Sequence, residues 1–295
     1  MSTINTSSFA MRRSWLQGAW LQSNKLLPKL LSHLALILFS FVIVYPVVWM
    51  VLASFKSQSD LFSNAWGLPK ALDLQNYTIA WQQANLGYAL FNSIFTSVGA
   101  TLLVIALAAL AGYALTTFKF RYAVAIFLVF VLTMQAPVPI IPMYVVMVVL
   151  HLTDSLLGLI LVWAATGLPV SIFIFWGYFQ TVPRELHEAA VIDGCSNFQA
   201  FMRVVLPISG PAVATVGILE FIAAWNDYLT PLILIRTPNL RTLPLAIQVF
   251  FYLFNNVQWG QVFAALTVGM LPTLILYLFL QRWFIQGLTS GAAKG

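Results

Sequence analysis

Charged side chains are scarce in this chain of 295 residues. Asp, Glu, Lys and Arg make up 7% of it, hydrophobic residues make up 61%, and the mean hydropathy is +0.89. A soluble domain carries about 25% charged residues, so the composition excludes a soluble globular protein and predicts an integral membrane protein. The net charge is +6, but the basic residues are scattered singly. This pattern argues against nucleic-acid binding, which needs clustered Lys and Arg.

Cysteine and histidine are also scarce. The only cysteine is Cys195, so an intrachain disulfide is impossible, and His33, His151 and His187 lie far apart without zinc-binding spacing. No phosphate-binding G-x-x-x-x-G-K-[ST] sequence is present. We therefore expect no metal site, no bound cofactor and no nucleotide site, and the chain is predicted not to be an enzyme.

Hydrophobic segments long enough to cross a bilayer recur along the chain. A hydrocarbon core about 30 Å thick needs roughly 20 apolar residues in a helix. The sequence predicts an all-α polytopic membrane protein of six transmembrane helices, with an N-terminal tail (1–30), a transmembrane domain (31–284) and a C-terminal tail (285–295). The predicted spans are 34–53, 88–115, 123–150, 156–178, 211–235 and 262–283.

Basic residues predict the orientation of these spans, because Lys and Arg are retained on the cytoplasmic side. With the N-terminus inside, the inner segments hold ten Lys and Arg residues and the outer segments hold four. Both termini and the polar segment 180–210 are therefore expected in the cytoplasm.

Proline interrupts two of the predicted spans. Pro46 lies in the first, and Pro137, Pro139 and Pro142 lie in the third, so these helices must bend or break. Broken helices often line a cavity, whereas a passive kink packed against its neighbours is the alternative.

The segment 180–210 carries the signals of two short helices. Pro183 can open the first helix, Glu185 suits the positive end of its dipole, and Gly194 can end it in a left-handed cap. Small and acidic residues recur at spacings of three and four, which predicts a face on which a partner protein can close. An ordinary amphipathic loop is the alternative. The residues of this face are Leu186, Ala189, Ala190 and Asp193.

The second helix follows at once. Ser196 and Gln199 form a capping box, and Pro207 is expected to end the helix. Together the two helices form an elbow that can pass motion from a partner into the spans. An apolar stripe is expected to lie against the bundle; it consists of Phe198, Phe201, Met202 and Val205.

The sequence from Glu188 to Gly194, with Leu206 and Pro207 downstream, resembles the EAA loop of bacterial ABC importer permeases. The resemblance continues through Trp225-Asn226-Asp227 and a tail from Gly287 to Gly295. These stretches are similar to the smaller, six-span subunit of maltose-type carbohydrate permeases, and the match covers about residues 30–295.

The resemblance implies a type I importer in the bacterial plasma membrane. Its partners would be a second permease, two ATPase subunits that bind ATP and Mg, an external solute-binding protein and a sugar, with bilayer lipid around it. The tail from Gly287 would reach between the ATPase subunits, and the outer loop 236–258 would touch the binding protein. The implied ATPase-coupling residues are Pro183, Glu185, Glu188, Ala189, Ala190, Asp193, Gly194, Leu206 and Pro207.

Two acids lie inside the fifth predicted span. Glu220 and Asp227 are seven residues apart, about 20° from whole turns, so they are predicted to share a helical face. An unpaired charge in lipid is costly, so both are expected to face a pore or the partner permease. With Trp225 and Asn226 they could bind sugar in a translocation path, or they could make structural hydrogen bonds that hold a gate shut.

An ion-coupled secondary transporter is the alternative function. Such proteins often contain inverted repeats and facing acids on two spans, whereas this chain shows no convincing halves and both acids lie in one span. The resemblance implies import of a disaccharide, oligosaccharide, polyol or sugar phosphate, without specifying which.

Overall fold

The computed structural model describes residues 7–118, 120–134, 139–252 and 257–292, and among these residues the regular structure is entirely helical, as predicted. A 3₁₀ turn spans Pro238–Leu240. The helices are α1 (Ser7–Ala53), α2 (Gln58–Ser63), α3 (Gln75–Gln83), α4 (Leu86–Thr117), α5 (Ala123–Thr133), α6 (Ile140–Val149), α7 (Leu156–Phe179), α8 (Arg184–Ile192), α9 (Asn197–Ile208), α10 (Gly210–Asn226), α11 (Leu229–Leu234), α12 (Leu243–Ile247), α13 (Val249–Tyr252) and α14 (Trp259–Ala292).

Four of the described helices are long and apolar enough to cross a membrane. They contain the segments Pro28–Ala53 of α1, Leu86–Thr117, Leu156–Phe179 and Trp259–Phe279 of α14. The pair α9 and α10, bent by 78°, counts as a fifth crossing if it is one broken span. The first, second, fourth and sixth predicted spans thus have direct counterparts. The total of six transmembrane spans remains a prediction.

The third predicted span is broken, as its prolines indicated. It consists of α5 and α6, each too short to cross alone, and Pro139 directly precedes α6. Pro137 lies outside the described residues. In contrast, α1 continues through Pro46.

The predicted fifth span, 211–235, is not one continuous helix. Its helix stops at Asn226, and the backbone of Asp227 is extended before α11 begins. The apolar composition continues to residue 235, so hydropathy alone does not reveal this break.

The pair α4 and α7 forms the centre of the bundle. At Gly112 of α4 an added Cβ would lie 2.8 Å from the Cβ of Phe175 and 3.1 Å from the backbone nitrogen of Trp176. Glycine therefore permits a close approach of these two helices. Helix α10 packs against α4 and α14, and buried residues such as Val216 and Phe221 fill these contacts.

The apolar half of α1 lies apart from this bundle. No residue of its most apolar window is buried by the rest of the chain, and α1 contacts α14. Lipid or another protein must therefore cover this surface. The N-terminal tail begins its helix at Ser7, and residues 1–6 and 293–295 lie outside the described part of the chain.

Candidate functional site

Helix α8 has the boundaries that its sequence indicates. It begins directly after Pro183, carries Glu185 in its first turn and ends one residue before Asp193. Gly194 follows with a φ of +87°, as the left-handed cap requires.

The cap at Gly194 is a Schellman motif. The Gly194 nitrogen donates to the Val191 carbonyl at 3.0 Å, and the Cys195 nitrogen donates to the Ala190 carbonyl at 3.0 Å. A Cβ added at Gly194 would meet nothing within 4 Å. The backbone conformation alone therefore demands glycine here.

The predicted partner-facing side of α8 is exposed at Leu186, Ala189 and Asp193 but not at Ala190. Ala190 is buried and His187 is half-buried, so these residues turn toward the bundle. Ile192 is 84% exposed. The opposite side combines acids with apolar side chains, and we call it the α8 surface; its exposed residues are Glu185, Leu186, Glu188, Ala189, Val191 and Ile192.

The start of α9 also agrees with its sequence. The Gln199 nitrogen donates to Ser196 Oγ at 3.3 Å, and the Ser196 nitrogen donates to Gln199 Oε1 at 2.9 Å. This reciprocal pair confirms the capping box. Near the other end Leu206 is half-buried, Pro207 is exposed, and the helix stops at Ile208.

The predicted apolar stripe of α9 is wrong for two of its four residues. Phe201 and Val205 are buried, but Phe198 is 61% exposed and Met202 is also exposed. The buried face of α9 runs through Ala200, Phe201 and Val205, and Phe201–Val205 form a π-helical turn. The exposed pair adds apolar area beside the α8 surface.

Glu220 points toward α7. Ser171 Oγ donates to Glu220 Oε1 at 2.8 Å, and a Cβ added at Gly167 would collide with the Glu220 carboxylate. Glycine in α7 therefore makes room for this acid from α10. The contact places Glu220 between two helices of the same subunit.

Asp227 is also bound within the chain, but it does not share a helical face with Glu220. It lies beyond the end of α10, where Trp163 Nε1 of α7 donates to its Oδ2 at 2.7 Å. Its Oδ1 accepts from the backbone nitrogens of Leu229 at 2.9 Å and Thr230 at 3.3 Å. Asp227 thus binds the first two backbone nitrogens of α11 and attaches this segment to α7.

Trp225 and Asn226, the other two predicted translocation residues, differ from each other. Trp225 is 3% exposed, stacks on Phe221 with ring centroids 5.5 Å apart, and donates from Nε1 to the Gly269 carbonyl at 3.2 Å. Asn226 is exposed, and its Nδ2 donates to Ile222 of its own helix. Among the four predicted translocation residues, Asn226 alone is exposed.

Asp154, in the loop between α6 and α7, was not predicted as a site residue. It accepts hydrogen bonds from the Thr237 hydroxyl at 2.6 Å and from the backbone nitrogens of Arg236 and Thr237 at 2.9 Å. The pKa of Asp154 is lowered, first by the side-chain bond from Thr237 and then by the backbone bonds. Its φ of 53° was a weak local clue, since Asp tolerates this conformation.

The elbow, Glu220 and Asp227 all fall within the part of the chain that one family of transport proteins matches. The family of binding-protein-dependent transport system inner membrane components matches residues 104–290, which include α7 through α13. The chain belongs to this family. The resemblance to importer permeases is therefore confirmed, and the permease is a membrane-embedded component of a bacterial transport system.

Individual relatives match most of the permease. A probable ABC transporter permease protein, YurM of Bacillus subtilis, is 35% identical over 88% of this chain and 87% of its own. The diacetylchitobiose uptake system permease protein NgcG of Streptomyces coelicolor is 32% identical over 90% and 88%. A crystal structure of a bacterial ABC transporter that imports alginate has a TM-score of 0.75 at 21% identity, covering 96% of this chain and 99% of that one. This last match supports the fold.

Proposed function

We propose that this permease imports a carbohydrate, driven by ATP that separate ATPase subunits hydrolyse while bound to the α8 surface. A relative named for diacetylchitobiose uptake and a structural neighbour named for alginate import support the carbohydrate class. The proposal extends to disaccharides, oligosaccharides, polyols and sugar phosphates.

The observation that carries the proposal is the α8 surface. The large apolar residue Ile192 is 84% exposed, and the exposed acids Glu185 and Glu188 lie on the same helix. Such a mixture of apolar and acidic side chains on a short helix suits a partner protein better than either lipid or water. The closed Schellman cap at Gly194 holds the helix ready for a partner's groove.

The uncovered apolar half of α1 supports a second permease as partner. In the proposed arrangement six segments cross the membrane, and both termini lie in the cytoplasm. They are α1, α4, the pair α5–α6, α7, the pair α10–α11, and α14. An external binding protein would contact the outer segment 236–258, of which residues 253–256 lie outside the described part.

Transport follows from differential binding. Closure of the ATPase subunits around ATP moves α8, and the spans change from an inward-facing to an outward-facing cavity because each state has its own contacts. Hydrolysis resets the cycle. The nucleotide and Mg belong to the ATPase partners in this scheme, and the tail from Gly287 would contact them.

The carboxylates of Glu220 and Asp227 fit a structural role in this cycle. Both Glu220 and Asp227 bind α7, which supports packing or gate closure rather than direct contact with sugar. Asn226 is the candidate for contact with the translocation path.

The test compares ATPase co-purification for charge-altering variants. Glu188→Lys should abolish co-purification and ATP-linked sugar uptake, because it reverses a charge on the α8 surface. Glu188→Gln keeps the side-chain shape and should retain part of both. Gln83→Lys places a lysine on an exposed residue of α3, predicted to be external, and serves as the control. Normal co-purification and uptake with Glu188→Lys would refute the proposal.

A further inference from the structure

A buried tyrosine of α4 contacts α8. Tyr113 is 5% exposed, and its Oη lies 2.7 Å from Nδ1 of His187 and 3.4 Å from the Asn197 carbonyl. Among the described residues, His187 is the only residue of α8 whose side chain makes a hydrogen bond. The tyrosine hydroxyl therefore reaches both helices of the elbow.

Aromatic rings from three further helices surround Tyr113. The ring centroid of Phe201 in α9 is 4.9 Å away, that of His187 in α8 is 5.8 Å away, and that of Phe179 in α7 is 6.2 Å away. The last two rings meet Tyr113 edge-on, a favourable geometry for aromatic pairs. A displacement of α8 thus acts directly on this ring.

A cavity lies between the first half of α8 and the bundle. It has a volume of about 570 Å³ and lies between α8 and the ends of α4 and α7; Thr116, Gln180 and Arg184 are among its lining residues. Helix α8 is therefore not packed closely against these ends. The cavity gives α8 room to tilt. A tilt would displace His187 and with it the hydrogen bond to Tyr113.

From Tyr113 the link continues into α7. At Gly112, the preceding residue, α4 lies in close contact with Phe175 and Trp176 of α7, so a shift of α4 at this level presses on α7. Helix α7 in turn holds α10 through Ser171 and Glu220. A path of packed contacts thus joins α8 to α10, the helix that carries Asn226, the candidate for contact with the translocation path.

We propose that the contact between Tyr113 and His187 is the point at which motion of the coupling helix α8 enters the α4–α7 pair. Tyr113 is a positioning residue in this scheme, since it touches neither nucleotide nor sugar. The inference rests on the proposed function, because it requires an ATPase that moves α8.

The test uses two fluorescent reporters in the assembled complex, with cysteine-free partner subunits and ATP as the probe. The first reporter is attached to the native Cys195, just beyond α8, before the ATPase subunits are added. A Tyr88→Cys substitution at the exposed start of α4, in a Cys195→Ser background, carries the second. In the otherwise unchanged permease both reporters should respond to ATP.

Tyr113→Phe should separate the two responses. The variant keeps the ring and removes the hydroxyl, so the Cys195 reporter should still respond while the α4 response becomes about fivefold smaller, the effect of one buried hydrogen bond. Co-purification of the ATPase should not change. A full α4 response in Tyr113→Phe would overturn the inference and leave the proposed function intact.

Further variants separate this role from general stability. His187→Leu should also reduce the response of the α4 reporter to ATP. His187→Asn should retain part of that response, because it keeps a polar atom near the Nδ1 position. Tyr113→Phe combined with His187→Leu should reduce the response no more than either single variant does. Tyr178→Phe is the control, since its hydroxyl donates to the Ile208 carbonyl at 2.8 Å and does not touch α8.

An equal loss in Tyr178→Phe, or additive losses in the double variant, would refute the specific link. If the Cys195 reporter does not respond to ATP in the unchanged complex, both the role of the Tyr113–His187 contact and the proposed function are refuted.

Discussion

The turn between α8 and α9 allows a sharp test, because its glycine is required for one reason alone. Gly194 has a φ of +87° and open space around an added Cβ. The methyl group of an Ala at this position therefore meets no neighbouring atom. The substitution forces either a left-handed residue, which costs about 1–2 kcal/mol, or the loss of the Schellman hydrogen bonds.

This cost sets the size of the effect. Since each 1.4 kcal/mol corresponds to a factor of ten, about 1–2 kcal/mol lowers the ratio of closed to open turn roughly 5- to 30-fold. The apparent affinity of the ATPase for the permease should weaken by up to the same factor, because only the closed turn presents the α8 surface correctly. Gly194→Val should weaken this affinity more than Gly194→Ala does. Gly194→Asn should weaken it least, because Asn tolerates the left-handed backbone conformation.

Gly177 provides a matched control. A Cβ added there also meets nothing within 4 Å, but Gly177 lies inside α7 without a positive φ. Gly177→Ala should therefore be neutral or stabilise α7 by about 0.5–1 kcal/mol. ATPase affinity can be titrated with purified, detergent-solubilised permease. Unchanged affinity in Gly194→Val, or equal weakening in Gly177→Ala, would refute the reasoning.

Three further predictions concern the bundle and its outer loops. Gly167→Ala should lower the thermal unfolding midpoint of the purified permease, because the new methyl group meets Glu220 and overpacking costs about 1–3 kcal/mol; an unchanged midpoint contradicts this. Asp227→Ala should lower the same midpoint by removing an acceptor of three hydrogen bonds; unchanged ATP-driven uptake in this variant would rule out both a sugar-binding and a gating role. Because the folded-state pKa of Asp154 is depressed, its ionised form stabilises the fold above about pH 4 and this contribution is lost as pH falls through the folded-state pKa. The stability difference between the permease and Asp154→Ala should therefore narrow below about pH 4, and a constant difference would contradict this.

Local signals made the elbow predictable from sequence. Pro183 and Gly194 mark the ends of α8, and the Ser196–Gln199 pair marks the start of α9, because each acts on backbone groups within a few residues. The all-α class followed in the same way from composition. These features depend on neighbours in the chain, so no tertiary information is needed.

Contacts distant in sequence account for what was missed. Asp227 leaves its helix to meet Trp163, 64 residues earlier, and Glu220 meets Ser171, 49 residues earlier. The link from Tyr113 to His187 spans 74 residues. A count of helical turns cannot reveal such partners, and the shared face predicted for the two acids failed for this reason.

The exposed half of the α9 stripe has a different cause. Around the π-helical turn Phe201–Val205, the buried face of α9 consists of Ala200, Phe201 and Val205, and Phe198 and Met202 lie beside that face. No residue type in that stretch signals the irregularity. The exposed apolar pair Phe198 and Met202 then enlarges the surface available to a partner.

The central claim is that α8 lies in the cytoplasm and is covered by the ATPase, and labelling of Cys195 tests both parts at once. This lone thiol lies at the α8 cap and is partly accessible. A membrane-impermeant maleimide should modify it in inside-out vesicles stripped of the ATPase, and bound ATPase should protect it. Labelling from the outside of intact cells, or equal labelling with and without the ATPase, would contradict the account.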